Sequence, residues 1–330
     1  MKAGRWIFRI LTLAALCAIG YTGIVMNAPY GHFGQETYVD LPKGTSTEQM
    51  GAALANAHVI RYAWAFWFAR ALRRNATLQA GEYRFTRPAS VFAVYGRIAR
   101  GDTFSYELVV PEGRNMFDIA ASVEHLGLFS AAQFLKAARN PAMIRDLDPD
   151  APTLEGYLFP NTYRLSRHTT PDRLCRIMTG QFREVWRGIG GQADVHRTVT
   201  LASMVEREAK LPDERPLIAS VYLHRLRIHM KLDCDPTTIY AALLEGNYRG
   251  AIYESDLASR NPYNTYRHAG LPPGPIANPG VASLEAVLQP SEADYLYFVA
   301  RPGGLGAHNF SRDLAGQQAA VARYRRAVAK

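Results

Sequence analysis

From Ile10 to Met26 the chain is almost wholly apolar, and no charged residue falls between Arg9 and Glu36. A run of this length approaches the roughly 20 residues that cross a bilayer, which predicts a membrane helix over about 6–26. Lys2, Arg5 and Arg9 precede the run, while Glu36 and Asp40 follow it. That asymmetry predicts a cytoplasmic N-terminus, with everything beyond about residue 30 on the far side of the membrane. A cleaved signal peptide is the rival reading, but MNAPYGHFGQ offers a poor small-x-small site, so an uncleaved single-pass anchor is expected.

Beyond the apolar run the pattern changes character. APYGHFGQETYVDLPKGTST, rich in Gly, Pro and polar residues, reads as a tether leading into a short strand. TEQMGAALANAHVIRYAWAFWFARALRRN then supplies an amphipathic helix, a turn at His58, and a second helix loaded with Trp64, Phe66, Trp67 and Phe68. LQAGEYRF alternates as a strand does, and ASVFAVYGRIARGD is a short helix closed by Gly101. FSYELVVPEGRNMFDIAASVEHLGLFS repeats strand, turn and helix, so the stretch predicts a small α+β module without a long parallel sheet.

A break dense in Pro and Asp, RNPAMIRDLDPDAPT, places a domain boundary near residue 142. The expected organisation is an anchor over 1–30, a tether and module over 31–141, and a mixed α+β domain over 142–330. In the last of these, helices are predicted from Pro171 to about Gly188 and from His196 onward. In the tail after Thr237, NPYNTYRHAGLPPGPIANPGVASLEAVLQPSEADYLYFVARPGG packs Pro, Gly, Asn and Tyr into a long irregular segment that ends in the strand DYLYFVA, and a basic helix follows from about Leu314. A compact domain keeps so long a loop when the loop has a task.

The helix from His196 to Lys210 carries the candidate chemistry. On a helical wheel, Val199, Leu201, Ala202, Met204, Val205 and Ala209 form an apolar arc, with Ser203, Arg207 and Lys210 toward solvent. Glu208 falls inside the arc and Glu206 at its edge. A carboxyl on a buried stripe must find a partner or hold a proton, and a protonated carboxyl near neutral pH is what glycosidic cleavage needs from its acid. The competing reading pairs Glu208 with Arg225 or Arg227 as structural charge.

Composition narrows the partners. Lys plus Arg total 38 against 29 Asp plus Glu, a formal +9 that suits an anionic surface or polymer. An extracytoplasmic location makes nucleic acid a poor partner for that charge. Cys175 and Cys234 are expected to be unpaired thiols, and the cluster of His224, His229, Cys234 and Asp235 lacks the spacing of a metal site, so no metal and no cofactor are expected. The aromatics of PYNTY (Tyr263, Tyr266) and YLFPNTYR (Tyr157, Phe159, Tyr163) suit stacking on sugar rings, with ordinary core packing as the alternative.

Taken in order, LQAGEYRF, VPEGRN, LEGYLFPNTY, LASMVEREA, VYLHRLRIHMKLDCDPTTIY, YNTY, GLPPGPIANPG, YLYFVA and HNFS resemble the MltG (YceG-like) family of endolytic murein transglycosylases. The resemblance covers nearly everything after the anchor. It implies an inner-membrane protein whose periplasmic part joins a LysM-like module to a catalytic domain, with peptidoglycan glycan strands as substrate and peptidoglycan synthases as a further expected partner. It also implies cleavage of the MurNAc-β-1,4-GlcNAc bond to leave a 1,6-anhydro end, with the second glutamate of Ser-x-x-Glu-x-Glu, Glu208, as the catalytic group. Glu206, Asp235, Thr237, Asn264, Tyr266, Tyr163 and Glu155 are then supporting or substrate-binding. Asn161 and Gln317 depart from the family pattern, where Asp and His are common. A water-using muramidase with Asp233 or Asp235 as second carboxylate, and a non-catalytic wall-binding scaffold, remain the alternatives.

Overall fold

The computed structural model describes residues 2–328 of the chain, with side chains from Arg5 onward, and divides into two compact units, Met1–Tyr106 and Glu107–Lys330. The fold is mixed α+β, and its strands pair only in twos.

The first unit opens with helix α1 (Lys2–Asn27), whose stretch Arg5–Asn27 is long and apolar enough to cross a membrane. Strand β1 (Thr37–Leu41) leads to helices α2 (Thr47–Asn56) and α3 (Ala63–Leu72), then strand β2 (Gly81–Phe85) and helix α4 (Val91–Arg100). β1 and β2 are antiparallel, with Val39 opposite Tyr83. The alternation seen in the sequence turns Val39, Leu41, Tyr83 and Phe85 inward onto Leu54, Phe66, Tyr95 and Ile98. A Ser46–Gln49 capping box starts α2, and Gly101 ends α4 in the left-handed conformation at φ 71°. His58 makes the turn between α2 and α3 at φ 55°, where its Cβ is disfavoured. The stretch read as a tether is pinned: Tyr30 and Ala89 exchange backbone hydrogen bonds of 3.0 and 3.1 Å, and Val25 and Met26 of α1 are buried in the unit's core.

The second unit begins one residue into strand β3 (Tyr106–Val110). Helices α5 (Met116–His125) and α6 (Ala131–Ala138) follow, then strand β4 (Asn161–Leu165), which pairs with β3. Residues 107–141 thus pack within the second unit, whereas the Pro- and Asp-rich break lies near 142. Next come helices α7 (Pro171–Ile189), α8 (Val195–Glu208), α9 (Arg215–Arg227), α10 (Asp235–Glu245), α11 (Glu254–Leu257) and α12 (Val281–Leu288). The antiparallel pair β5 (Tyr297–Ala300) and β6 (His308–Ser311) and the final helix α13 (Leu314–Val328) complete it.

Two expectations need correction here. The irregular segment over 261–304 is not irregular throughout: besides the expected strand it contains α12, a short helix that the flanking Pro and Gly residues disguise. Nor does Ser203 belong to the solvent face of α8 drawn on the wheel. Helices α9, α10 and α12 pack around α8, Thr198 through Val205 are all buried, and Ser203 is fully enclosed, donating to Thr200 O at 2.7 Å and accepting from Ile276 N at 3.0 Å. Arg207 and Lys210 do reach solvent.

Candidate functional site

Glu208 is the last residue of α8, where the helix stops at extended Ala209. It opens onto a cavity of about 380 Å³ lined by Arg225, Asp233, Asp235, Tyr266, Phe298 and His308, among others. The Cys234 thiol lies against it, Sγ to Oε1 at 3.4 Å. Burial pushes the Glu208 carboxyl above the ordinary glutamate range, and neighbouring Asp235 pushes the same way. The Cys234 S–H, His308 and the buried hydroxyl of Tyr222 pull in the opposite direction.

The structural alternative for Glu208 fails on geometry. Arg225 is buried, but its donors go to Leu296 O at 2.7 Å, Leu232 O at 2.9 Å and Lys231 O at 3.2 Å, with Asp233 as its acidic partner at 3.4 Å. Among the described residues no Lys or Arg forms an ion pair with Glu208. A recessed carboxyl without a cation, facing a cavity, can hold and deliver a proton.

Glu206 behaves differently. Its side chain is enclosed rather than solvated: Oε2 accepts from Ser283 Oγ at 2.7 Å and Gly280 N at 3.1 Å, and Oε1 faces Arg215 at 3.6 Å. It therefore ties α8 to the start of α12 and to α9. Glu112 of VPEGRN, which the sequence reading passed over, sits in the same pocket of charge, its carboxyl raised by burial and by Glu206.

The rim of the cavity is built by the YNTY loop folding onto the start of α10. Tyr266 donates its hydroxyl to Asp235 Oδ1 at 2.6 Å, and Thr265 Oγ1 accepts from Cys234 N at 3.0 Å. Thr237 is fully buried, bonded to Cys234 O at 2.7 Å and to Thr265 Oγ1 at 2.9 Å, so it fixes Cys234 and does not line the cavity. Asn264 is buried too. Its amide donates to Ser259 O at 2.8 Å and Leu257 O at 3.0 Å, and its carbonyl accepts from Tyr266 N at 3.1 Å, which spends it on the loop. Of the sequence candidates, then, Glu208, Asp235 and Tyr266 meet at the cavity.

Tyr163 and Glu155 do not. Tyr163 is buried with its hydroxyl on Phe159 O, and Tyr157, Phe159 and Tyr263 are core residues; their flat faces pack inside the unit and are not presented to a sugar. Glu155 is buried, accepting from Met116 N at 2.9 Å and Asn278 Nδ2 at 2.8 Å. Burial pushes its carboxyl up to about 8, against the pull of the Met116 amide.

Asn278, unremarked in the sequence, is the hub of that region. Its Oδ1 accepts from Gly156 N and Leu158 N, both at 2.9 Å, while Nδ2 reaches Glu155 and Arg114 O. One side chain thereby staples VPEGRN, LEGYLFPNTY and GLPPGPIANPG. The only sequence signal was a lone amide in a loop held by prolines. His308 was also missed as a site residue: Glu214 grips both its backbone N at 2.8 Å and its Nδ1 at 2.7 Å, which directs the imidazole to the cavity wall. Cys175 and Cys234 are both buried and free.

A recessed carboxyl with a polar, open cavity is the arrangement of an acid catalyst that receives an extended substrate. Residues 39–323 match the model of the YceG-like family, and the chain belongs to that family. An endolytic murein transglycosylase of Bacillus subtilis (strain 168) is 32% identical over 287 residues, covering 81% of this chain and 79% of that protein. An endolytic murein transglycosylase of Streptococcus pneumoniae serotype 2 is 28% identical over 79% of this chain, which spans 54% of that longer protein. A YceG-like protein of Listeria monocytogenes, solved by crystallography, aligns at a TM-score of 0.57 and 29% identity over 87% of this chain and 99% of its own.

Proposed function

We propose that this protein is a lytic transglycosylase, a lyase that cuts peptidoglycan glycan strands internally, with Glu208 as its acid and then its base. The observation that carries this reading is a Glu208 carboxyl raised by burial, with no Lys or Arg ion pair among the described residues, on the wall of a cavity of about 380 Å³ that Asp235 and Tyr266 also line. Names of the relatives above point to the same chemistry.

The scissile bond is the β-1,4 link from MurNAc to GlcNAc. Glu208 gives its proton to the glycosidic oxygen, the C1–O bond breaks with oxocarbenium character, and GlcNAc leaves with a 4-hydroxyl. The ionised carboxylate then takes the proton of the muramic C6 hydroxyl while that oxygen bonds to C1. The product is a 1,6-anhydro end, Glu208 is again protonated, and no water is consumed. A cut of this kind in a nascent strand ends its elongation. Asp235 and Tyr266, joined by their hydrogen bond, form a polar wall for sugar hydroxyls.

The placement follows from the same reading: α1 anchors the chain in the inner membrane with a cytoplasmic N-terminus, and a LysM-like module and the catalytic unit lie in the periplasm. The test is digestion of purified glycan strands followed by mass spectrometry of the new ends. Anhydro ends from the parent and a loss of about 10²–10⁴-fold in Glu208→Gln are expected, the usual worth of a positioned acid–base group. Ends heavier by one water would instead support a muramidase using Asp233 or Asp235, and unchanged cleavage by Glu208→Gln would dismiss the acid.

A further inference from the structure

Helix α3 is apolar on two sides. Ala65, Phe66 and Ala69 face the core of the first unit, as a surface helix requires. Yet Trp67 is 49% exposed and Leu72 60% exposed, with Trp64 and Phe68 half-buried beside them. Positions 64, 67, 68, 71 and 72 share one stripe at helical spacing, so the outward face is Trp, Trp, Phe, Ala and Leu. Tyr62 and Arg61 stand exposed at its start, and Arg73 and Arg74 at its end. In water such a face is costly; at a bilayer surface, aromatic rings at headgroup depth and flanking arginines on phosphates are the favourable arrangement.

The anchor helix says where the membrane surface lies. Val25 comes 20 residues after Arg5, a rise of about 30 Å, which matches the roughly 30 Å hydrocarbon thickness. At that level α1 stops being exposed on one side and enters the unit's core, Val25 and Met26 being buried while Ile24 stays exposed. Just below, Tyr21 and Tyr62 share a hydrogen bond of 2.8 Å between their hydroxyls, which sets the start of α3 at the outer end of the spanning stretch. Tyr62 in turn stacks on Trp64, ring centroids 6.0 Å apart.

We infer that α3 is a membrane-surface helix: Trp67, Leu72 and the flanks of Trp64 and Phe68 lie in the headgroup–acyl boundary of the bilayer that α1 crosses, with Arg61, Arg73 and Arg74 on lipid phosphates. The first unit is then seated on the membrane by two elements and cannot swing on its anchor. This rests on α1 being a membrane span, so the experiment tests the two separately.

The full-length chain carrying Cys17→Ser, with Cys175 and Cys234 buried, is labelled with a nitroxide at Leu13→Cys, Trp67→Cys, Leu72→Cys or, as an aqueous reference, Asp213→Cys. Both α3 side chains are exposed, so their replacement removes no core contact. In liposomes of phosphatidylethanolamine and phosphatidylglycerol, electron paramagnetic resonance compares collisions with oxygen, which concentrates in lipid, and with a water-soluble nickel chelate. The oxygen-to-nickel ratio is expected to be several-fold higher at 13, 67 and 72 than at 213. A high ratio at 13 with aqueous values at 67 and 72 overturns the seating and leaves the anchor standing. Aqueous values at 13 as well overturn both, and a protein covering α3 in place of lipid also predicts aqueous values at 67 and 72 here.

Discussion

Replacing Glu155 by Gln removes a charge the fold does not want. Its carboxyl is buried and titrates near 8, against an ordinary 4.5. Between those values the unfolded chain is ionised while the folded protein still holds the proton, so folding stability falls as pH rises through the whole interval and levels off above it. At about 1.4 kcal/mol per pH unit, the fall from pH 5 to the folded value near 8 is about 4 kcal/mol. Glutamine keeps the carbonyl that accepts from Met116 N and Asn278 Nδ2 but cannot ionise. Glu155→Gln should therefore match the parent within about 1 kcal/mol at pH 5 and exceed it by about 4 kcal/mol at pH 9. Urea denaturation of the full chain in detergent at both pH values reads this directly, since a slope of up to about 3 kcal/mol/M turns the gain into a midpoint displacement of more than 1 M. Cleavage of glycan should persist, because Glu155 does not line the cavity. Equal pH slopes for parent and variant would refute the burial argument. Loss of cleavage with the fold intact would move Glu155 into the catalytic machinery.

Other outcomes follow from neighbouring contacts. Gly156→Ala forces a Cβ onto φ 88° and within 2.5 Å of Pro275, which should cost about 2–4 kcal/mol and lower the thermal midpoint by several degrees in a melting experiment. Glu206→Gln leaves Arg215 without its buried acid, and a loss of about 3 kcal/mol in denaturant unfolding is expected; an unchanged midpoint would mean the pair contributes nothing. Cys234→Ala removes a thiol that favours ionised Glu208, so the carboxyl should stay protonated to higher pH and the basic limb of the kcat/KM profile should move upward. A downward move would contradict the assignment of Glu208 as the acid.

The recessed position of Glu208 was legible in the sequence because a glutamate on an apolar arc is costly, and that cost shows in periodicity. Its surroundings were less so. The wheel gave Ser203 to solvent because a small hydroxyl scores as polar, whereas α8 is wrapped by three helices and the hydroxyl is spent on Thr200 O and Ile276 N. The short strands, Gly101 at the end of α4 and the helix loaded with tryptophans followed from alternation and caps. Long-range partners left no local trace: Asn278 joining three loops, Glu214 gripping His308, and Cys234 against Glu208 pair residues 26 to 123 positions apart. Tyr163 and Asn264 were singled out for chemistry that suits sugars, but the same groups satisfy buried backbone, and only packing decides between the two.

Infrared difference spectroscopy on the parent against Glu208→Gln isolates the one carboxyl on which the chemistry turns. A protonated-acid band that survives above pH 4.5, the ordinary glutamate midpoint, is the expected result. A carboxylate signal already complete at that midpoint would mean Glu208 has no proton to give, and the proposed cleavage would have no acid.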